Sequence, residues 1–278
     1  MHVVRTLPAL RAACEAARAS HGSLALVPTM GALHDGHRAL VRAALASGGA
    51  AVTSIFVNPL QFAANEDLSR YPRDEAGDLA LLEASGCAIA WLPDVAALYP
   101  SGDATTITVA GPAEGWEGAA RPGHFRGVAT VCARLFGHVR ADRAYFGEKD
   151  WQQLQVIRRM VSDLPLPIAI VAVATVREAD GLALSSRNRF LTVDERALAP
   201  VLYRTLAGTA SVLAEGGDAA GPLHAARESL TRAGLGVEYC ALVDGPNLVS
   251  LDRTTPGARL IAAARLGRVR LLDNAAVA

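Results

Sequence analysis

The sequence predicts an α/β protein: an open parallel β-sheet with helices on both faces, followed by a smaller α+β domain. Three observations carry this. Short, near-continuous apolar runs, LALV at 24–27, AVTSIFV at 51–57, CAIAWL at 87–92 and IAIVAVAT at 168–175, have the composition of strands buried on both faces. Segments with the apolar spacing of helices stand between them. After Arg177 this alternation stops, and the polar segment READGLALSSRNRFLT precedes a different pattern.

Taken in order, Leu24–Val27 reads as a strand that breaks at Pro28 and leads through TMGALHDG to His37, after which RALVRAALAS is helical. Ala51–Val57, rich in β-branched residues, is a second strand ending at Asn58-Pro59. Ala76–Glu83 is helical, and Cys87–Leu92 is a third strand closed by Pro93. Between Gly111 and Gly127 the residues GPAEGWEGAARPGHFRG have no periodicity and read as a long loop beside a site. Val128–Val139 resumes as a helix, Ala144–Phe146 is a strand end, Trp151–Leu164 a helix and Ile168–Thr175 another buried strand. The second domain opens with a helical stretch from Val193, then a Gly-rich turn near Gly216, another helix, and short strands at Val237–Val243 and Arg259–Ala264. The boundary is placed near Thr175, giving domains of residues 1–175 and 176–278.

Composition excludes several function classes. The 278 residues are 51% hydrophobic and 19% charged with zero net charge, so no field of one sign marks a nucleic acid, anionic membrane or polyanionic partner. Cys14, Cys87, Cys132 and Cys240 form no CxxC pair and read as buried reduced thiols, which favours the cytoplasm. The first twenty residues lack the charged and apolar blocks of a leader, and no 18-residue apolar run is read further on, so neither export nor membrane spanning is expected. The chain carries a single lysine, Lys149 in YFGEKDWQQL, against 26 arginines, from 27 basic residues less one. A composition bias explains the scarcity of lysine but not the exception: either Lys149 is a chance survivor or its position needs a compact, strongly hydrated point charge.

Ligands of open parallel sheets bind beyond the carboxyl ends of the strands. The strand-ending segments here are PTMGALHDGH, NPLQF, FGEKDWQQ and VREADGLALSSRN. The first puts His34 and His37 at a loop-to-helix junction, where backbone N–H groups and the helix dipole favour an anion. Two plainer roles compete: His37 or Asp35 as a helix cap worth about 1 kcal/mol, or HxxH as half of a zinc site, for which no third ligand stands at a recognisable spacing. Asn58 and Gln61 supply neutral amides suited to a hydroxyl or carboxylate, although Asn-Pro after a strand is also a plain turn. Gln152 and Gln153 open a helix, where solvent exposure is the default. Ser185, Ser186 and Arg187 can hold phosphate through hydroxyl and guanidinium contacts. Only the combination is specific.

In that order and spacing VPTMGALHDGH, SIFVNPLQF, EDLSRYPR, RPGHFRGVATV, YFGEKDWQQL and GLALSSRN closely resemble the pantoate–β-alanine ligases, members of the HIGH-motif nucleotidyltransferase superfamily. The motifs span Val27 to Leu191, and the closing RLLDN at 270–274 agrees with them. The resemblance implies a Rossmann-like nucleotidyltransferase domain and a C-terminal domain that closes over substrate. It implies two steps: (R)-pantoate attacks the α-phosphate of ATP to give pantoyl adenylate and pyrophosphate, and β-alanine then displaces AMP to give pantothenate. It places the ATP-binding loop on Met30, Gly31, Ala32, Leu33, His34, Asp35, Gly36 and His37, with both histidines on the phosphates. Further nucleotide contacts fall on Gly147, Glu148, Lys149 and Asp150, on Val176 through its main chain, and on Leu184, Ser185, Ser186 and Arg187. Pantoate falls to Gln61 and Gln153, with Asn58 among the substrate-binding residues. His37, His34, Lys149 and Arg187 become the catalytic set, aided by Mg²⁺ bound mainly through phosphates. A cytoplasmic homodimer is implied as well. Two rival readings are another HIGH-motif nucleotidyltransferase acting on a different small acid or phosphate acceptor, and a non-catalytic ATP-binding or RNA-binding module. Gln61 and Gln153 suit a small polar acid and argue against the first, and zero net charge argues against the second.

Overall fold

A computed structural model describes residues 1–63 and 68–277, so Glu66 and Asp67, the first residues of EDLSRYPR, lie outside the described residues. Two compact units divide the chain: Met1–Glu148 with Val156–Ala174, and Lys149–Gln155 with Thr175–Ala278.

The first unit contains, in chain order, β1 (His2–Val4), α1 (Leu7–His21), β2 (Leu24–Thr29), α2 (Asp35–Ala46), β3 (Ala50–Ile55), α3 (Glu75–Ala84), β4 (Ile89–Trp91), α4 (Val95–Leu98), α5 (Trp116–Ala120), α6 (His124–Val139) and β5 (Arg143–Gly147). It continues through α7 (Trp151–Asp163), whose first five residues count with the second unit, into β6 (Ala169–Val173). The six strands form one sheet in the order β1-β4-β3-β2-β5-β6, and every pairing is parallel. The runs of β2, β3 and β4 bury both of their faces, whereas β6, expected as another buried strand, is the sheet's edge and is only half-buried, with Ala169 exposed. Ala25 and Val27 pack with Leu40, Val41 and Leu82 from α2 and α3, while α1 and α6 contact the sheet from other positions. From β2 the chain winds outward through β3 and β4 in one direction and through β5 and β6 in the other. The order therefore reverses between β2 and β5, which is where such sheets bind ligands.

Strand β2 does not break at Pro28 but runs on to Thr29, because of which side the missing N–H faces. The carbonyl of Thr29 accepts from Phe56 N beyond β3, and that of Leu24 accepts from Asp142 N on the β5 side. Residues therefore alternate, and Pro28 faces β5, whose pairing with β2 has already ended at Leu26. No ladder bond is lost. Elements that go beyond the sequence reading are β1, α1, α4 and α5. Strand β1 has three residues, too few to show a period. Helix α1 buries only Leu10 and Cys14, so its apolar stripe is faint. The 111–127 segment holds the short α5, and α6 begins at His124 rather than Val128, entered through Gly123 at φ 84°.

The second unit contains α8 (Val193–Leu198), α9 (Val201–Ala214), α10 (Ala220–Arg232), β7 (Gly236–Val243), β8 (Arg259–Leu266) and β9 (Val269–Ala276). The strands form an antiparallel meander in the order β7-β8-β9. Leu202, Leu206 and Leu213 of α9 and Leu230 of α10 pack against Leu242, Leu260 and Leu271 of the sheet. By length and composition the 22 residues Val193–Ala214 are apolar enough to cross a bilayer, contrary to the expectation that no such run is present. A turn at Ala199-Pro200 divides them; α9 packs its buried stripe into the unit's core, while α8 buries none of its residues. Strand β9, noted in the sequence only as the motif RLLDN, is the last strand of this sheet.

Candidate active site

The loop after β2 lies at the switch point of the first unit. Gly31 has φ +82°, and a Cβ there would stand 2.8 Å from Asp78 Oδ2 and 3.2 Å from Ile55 Cγ2, so conformation and space both require glycine. Ala32 follows at φ 51°, in the left-handed region disfavoured for a residue with a Cβ. Asp78, a buried carboxylate on α3, holds it there: Oδ2 accepts from Ala32 N at 2.9 Å and Oδ1 from Leu33 N at 2.6 Å. The sequence reading missed Asp78, which sits in a helix like any solvent-facing acid. Its only signal was its place on the helix preceding a strand of the same sheet.

His34 and His37 cap α2 together. His34 is the N-cap residue, its Nδ1 accepting from Gly36 N at 3.1 Å, and His37 Nδ1 accepts from His34 N at 3.3 Å. The ring centroids are 4.2 Å apart. A backbone N–H can only donate, so both Nδ1 atoms are acceptors and both neutral rings carry their proton on Nε2. Capping and phosphate binding are thus compatible: the cap uses Nδ1, and Nε2–H is the donor suited to an anion at a helix N-terminus. Asp35 pairs with Arg38 at 2.9 Å. Among the described residues no third His, Cys, Asp or Glu joins these two into a group able to hold a metal ion.

Gln61 is set in a short 3₁₀ turn at Pro59–Gln61 and is buried. Its Nε2 contacts Met30 Sδ at 2.8 Å, linking it to the β2 loop, and its Oε1 accepts from Asn58 Nδ2 at 3.1 Å. Asn58 was expected among the substrate-binding groups, yet its hydrogen-bonding capacity is taken by protein. Nδ2 also donates to Gly127 O at 3.1 Å, while Oδ1 accepts from Tyr99 Oη at 2.8 Å and Leu60 N at 3.3 Å. Asn58 is thus held between Gln61, Gly127, Tyr99 and Leu60. The motif RPGHFRG supplies the rest of this frame. A Cβ at Gly127 would come within 2.2 Å of Leu60 O, so only glycine lets α6 approach the turn. His124 Nδ1 and Arg121 Nη2 reach Gln61 O at 2.9 and 3.4 Å. Sequence reasoning quoted this motif without assigning it a chemistry.

Gly147 ends β5 and Glu148 follows it in the same unit, across the switch point from the β2 loop. The next residues count with the second unit. Lys149 is largely buried, with Nζ 3.6 Å from the half-exposed Asp150 Oδ1, and its carbonyl accepts from Asn274 Nδ2 at 3.0 Å. Trp151 anchors the start of α7: its Nε1 donates to Gly245 O at 2.8 Å, and the Arg259 guanidinium lies 3.4 Å from its ring centroid. Gln152 is buried, against the default of exposure, and Gln153 is half-buried. Val176 pairs through its main chain, its carbonyl accepting from Leu184 N at 3.0 Å, so the two segments expected at the nucleotide form one hairpin. Ser185 caps the 3₁₀ turn Ser186–Phe190, its Oγ accepting from Arg187 N at 3.3 Å.

All four cysteines are free and buried. Burial pushes the Cys14 and Cys240 thiols up to about 11 and Cys132 up to about 12, and raises Cys87 as well. None is a thiolate at neutral pH, so none serves as a nucleophile.

The family model described as Pantoate-beta-alanine ligase matches residues 2–276. The chain is 59% identical over 276 residues to the pantothenate synthetase of Granulibacter bethesdensis, covering 99% of this chain and 96% of that one. It is 56% identical to that of Acidiphilium cryptum over the whole of both chains. Among solved structures it is similar to pantothenate synthetase from Thermus thermophilus, with a TM-score of 0.94 and 49% identity, covering 100% of this chain and 99% of that one. It is also similar to the pantoate-beta-alanine ligase of Francisella tularensis, solved with beta-gamma ATP and beta-alanine, with a TM-score of 0.83 and 29% identity, covering 100% and 98%. A parallel sheet whose switch point carries a histidine-capped helix, continuous with this full-length agreement, places the chain in the pantoate–β-alanine ligase family.

Proposed function

We propose that this chain joins (R)-pantoate to β-alanine at the expense of ATP, through a pantoyl adenylate. The observation that carries the reading is the histidine pair at the N-terminus of α2, where each ring spends Nδ1 on the cap and holds its proton on Nε2. In the first step a pantoate carboxylate oxygen bonds to the α-phosphorus as the bond to the bridging oxygen breaks, and pyrophosphate leaves with the electron pair. The transition state spreads negative charge over the phosphates. His34 and His37, the α2 N-terminus, Lys149 and Arg187 stabilise it as preorganised donors. In the second step the β-alanine amine attacks the acyl carbon, AMP departs and the amine sheds a proton. An acyl adenylate is already reactive, so proximity supplies much of this rate.

Gln61 and Gln153 hold pantoate, and Asn58 acts as a positioning residue behind Gln61. Residues Met30–His37, Gly147–Asp150, Val176 and Leu184–Arg187 bind the nucleotide. The second unit, which includes residues 176–278, serves as the lid domain. Mg²⁺ would be held mainly through the phosphate oxygens of ATP, where it would help neutralise the charge that develops on them. The buried thiols fit a reducing cytoplasm, and zero net charge fits a protein without nucleic-acid or membrane partners. The resemblance to the family supports a homodimer, which light scattering tests.

The deciding experiment is pantoate-dependent exchange of pyrophosphate into ATP in the presence of Mg²⁺ and the absence of β-alanine. Exchange is expected. A purified, folded protein that shows none, yet adenylylates another small acid or phosphate acceptor, would move the chain to the rival nucleotidyltransferase reading.

A further inference from the structure

We propose that Asn274 is a positioning residue for the adenylation step, acting through the main chain of Lys149. This rests on the reading of Lys149 as a phosphate ligand.

Among the described residues strand β9 pairs only with β8 and ends the three-stranded sheet. Near its end lie two consecutive polar residues, Asp273 and Asn274, both more than nine-tenths buried. Consecutive residues of a strand point to opposite faces, and each of these makes a defined connection. Asp273 forms a two-pronged ion pair with Arg177, Oδ2 to Nη1 at 2.7 Å and Oδ1 to Nη2 at 2.9 Å. The Arg177 guanidinium also lies 3.3 Å from the Tyr203 ring centroid and donates to Gly181 O at 3.1 Å. Asp273 Oδ1 further accepts from Asn274 N at 2.8 Å. The backbone of Asn274 is therefore braced from one face while its side chain works on the other.

That side chain donates from Nδ2 to Lys149 O at 3.0 Å, 125 residues away in the chain. A buried amide is costly unless its partners are fixed. Here it fixes one point: the main chain of the only lysine, in the 3₁₀ turn Glu148–Asp150 between the end of β5 and the start of α7. A flexible four-carbon side chain delivers its ammonium to a repeatable place only if its Cα is held. The Asn274 bond, with the Trp151 anchor two residues on, does this.

The test is a double-mutant cycle read by pyrophosphate exchange. Asn274→Ala is expected to lower the exchange kcat about 10-fold, the scale of one buried hydrogen bond, with the pantoate KM within about 2-fold. In the Lys149→Ala background the same change is expected to cost less than about 2-fold, because a residue acting through Lys149 has nothing left to position. A full 10-fold loss in that background, or a single variant within 2-fold of wild type, would overturn the inference while leaving the role of Lys149 intact. Normal exchange by Lys149→Ala would overturn the reading of Lys149 itself, and this inference with it. Thermal melting of each variant guards against misfolding, and Asn274→Leu, which keeps the shape and removes the donor, replaces Asn274→Ala if the latter melts below the assay temperature.

Discussion

His124 Nδ1 lies 2.9 Å from the main-chain oxygen of Gln61, while the other ring nitrogen lies 3.1 Å from Arg121 Nη1. A carbonyl only accepts and a guanidinium only donates, so the proton sits on Nδ1, the tautomer opposite to that of His34 and His37. Arg121 is in turn held 3.5 Å from the buried Glu117. One imidazole thus becomes a rigid spacer between α6 and the turn that carries Gln61.

His124→Ala is expected to raise the pantoate KM about 10-fold, the scale of one hydrogen bond to a residue that binds substrate. The KM for ATP is expected to stay within about 2-fold. Steady-state kinetics with each substrate varied measures both, and an equal rise in the two would refute a specific link to Gln61. His124→Asn, whose amide can replace the Nδ1 donor, is expected to recover part of the loss.

Gly127→Ala drives a methyl to within 2.2 Å of Leu60 O and 2.6 Å of Gln61 N, all of it backbone that cannot rotate away. We expect a loss of about 3 kcal/mol in denaturant unfolding, at the upper end of overpacking costs. A loss below about 1 kcal/mol would mean that the turn and α6 separate easily.

Asp78→Ala removes the acceptor from two backbone N–H groups that hold Ala32 in a left-handed conformation. At 1–3 kcal/mol per stranded group, about 3 kcal/mol of stability is expected to go, with a raised KM for ATP. Asp78→Asn keeps one acceptor oxygen and is expected to cost less than half as much. Similar losses in the two variants would show that the carboxylate charge, rather than the paired bonds, is what counts.

Lys149→Ala is expected to lower the adenylation rate about 10²- to 10³-fold, as for loss of one strong transition-state donor. Lys149→Arg is not expected to restore it. The ammonium is largely buried beside Asp150 on a pinned backbone, and a longer planar fork would have to displace its neighbours. Single-turnover formation of the adenylate decides the matter, and a near-normal rate for Lys149→Arg would reduce the lysine to a point charge of no special shape.

Stability is expected to fall as pH rises above 9. Unfolded cysteines lose their proton near 9.0, whereas in the folded state Cys14 and Cys240 keep theirs to about 11 and Cys132 to about 12. Between those values the unfolded chain binds fewer protons than the folded one, so each thiol's stabilising contribution is present below 9 and is lost as pH rises through the folded value. The slope is at most about 1.4 kcal/mol per pH unit per thiol. Denaturant midpoints at pH 8, 9 and 10 measure it, and Cys132→Ala should show the shallower fall. An identical fall would assign the effect to other groups.

Much of the fold is legible in the sequence because its signals are local. Val52 lies in a sheet covered on both faces, so its neighbours are apolar whichever way they point. Pro28 misled because a proline's cost depends on which neighbour its nitrogen faces, and that is a property of the sheet. The same division runs through the site. His34 and His37 stand out in the sequence because they lie within eight contiguous residues, Met30–His37, that lead into α2. Asn58 looked like a ligand because an amide's partners are invisible until Tyr99 and Gly127 arrive from other elements.

By itself the sequence determined the parallel sheet, the histidine-bearing loop after β2, the unique lysine and the resemblance to a family, all carried by patterns within a few residues. Only the tertiary structure decided which proton each histidine carries, that Asn58 bonds to Gln61, and that Asn274 holds Lys149 across 125 residues. A hydrogen bond depends on distances of a few ångströms, and chain separation says nothing about such distances until the fold closes them.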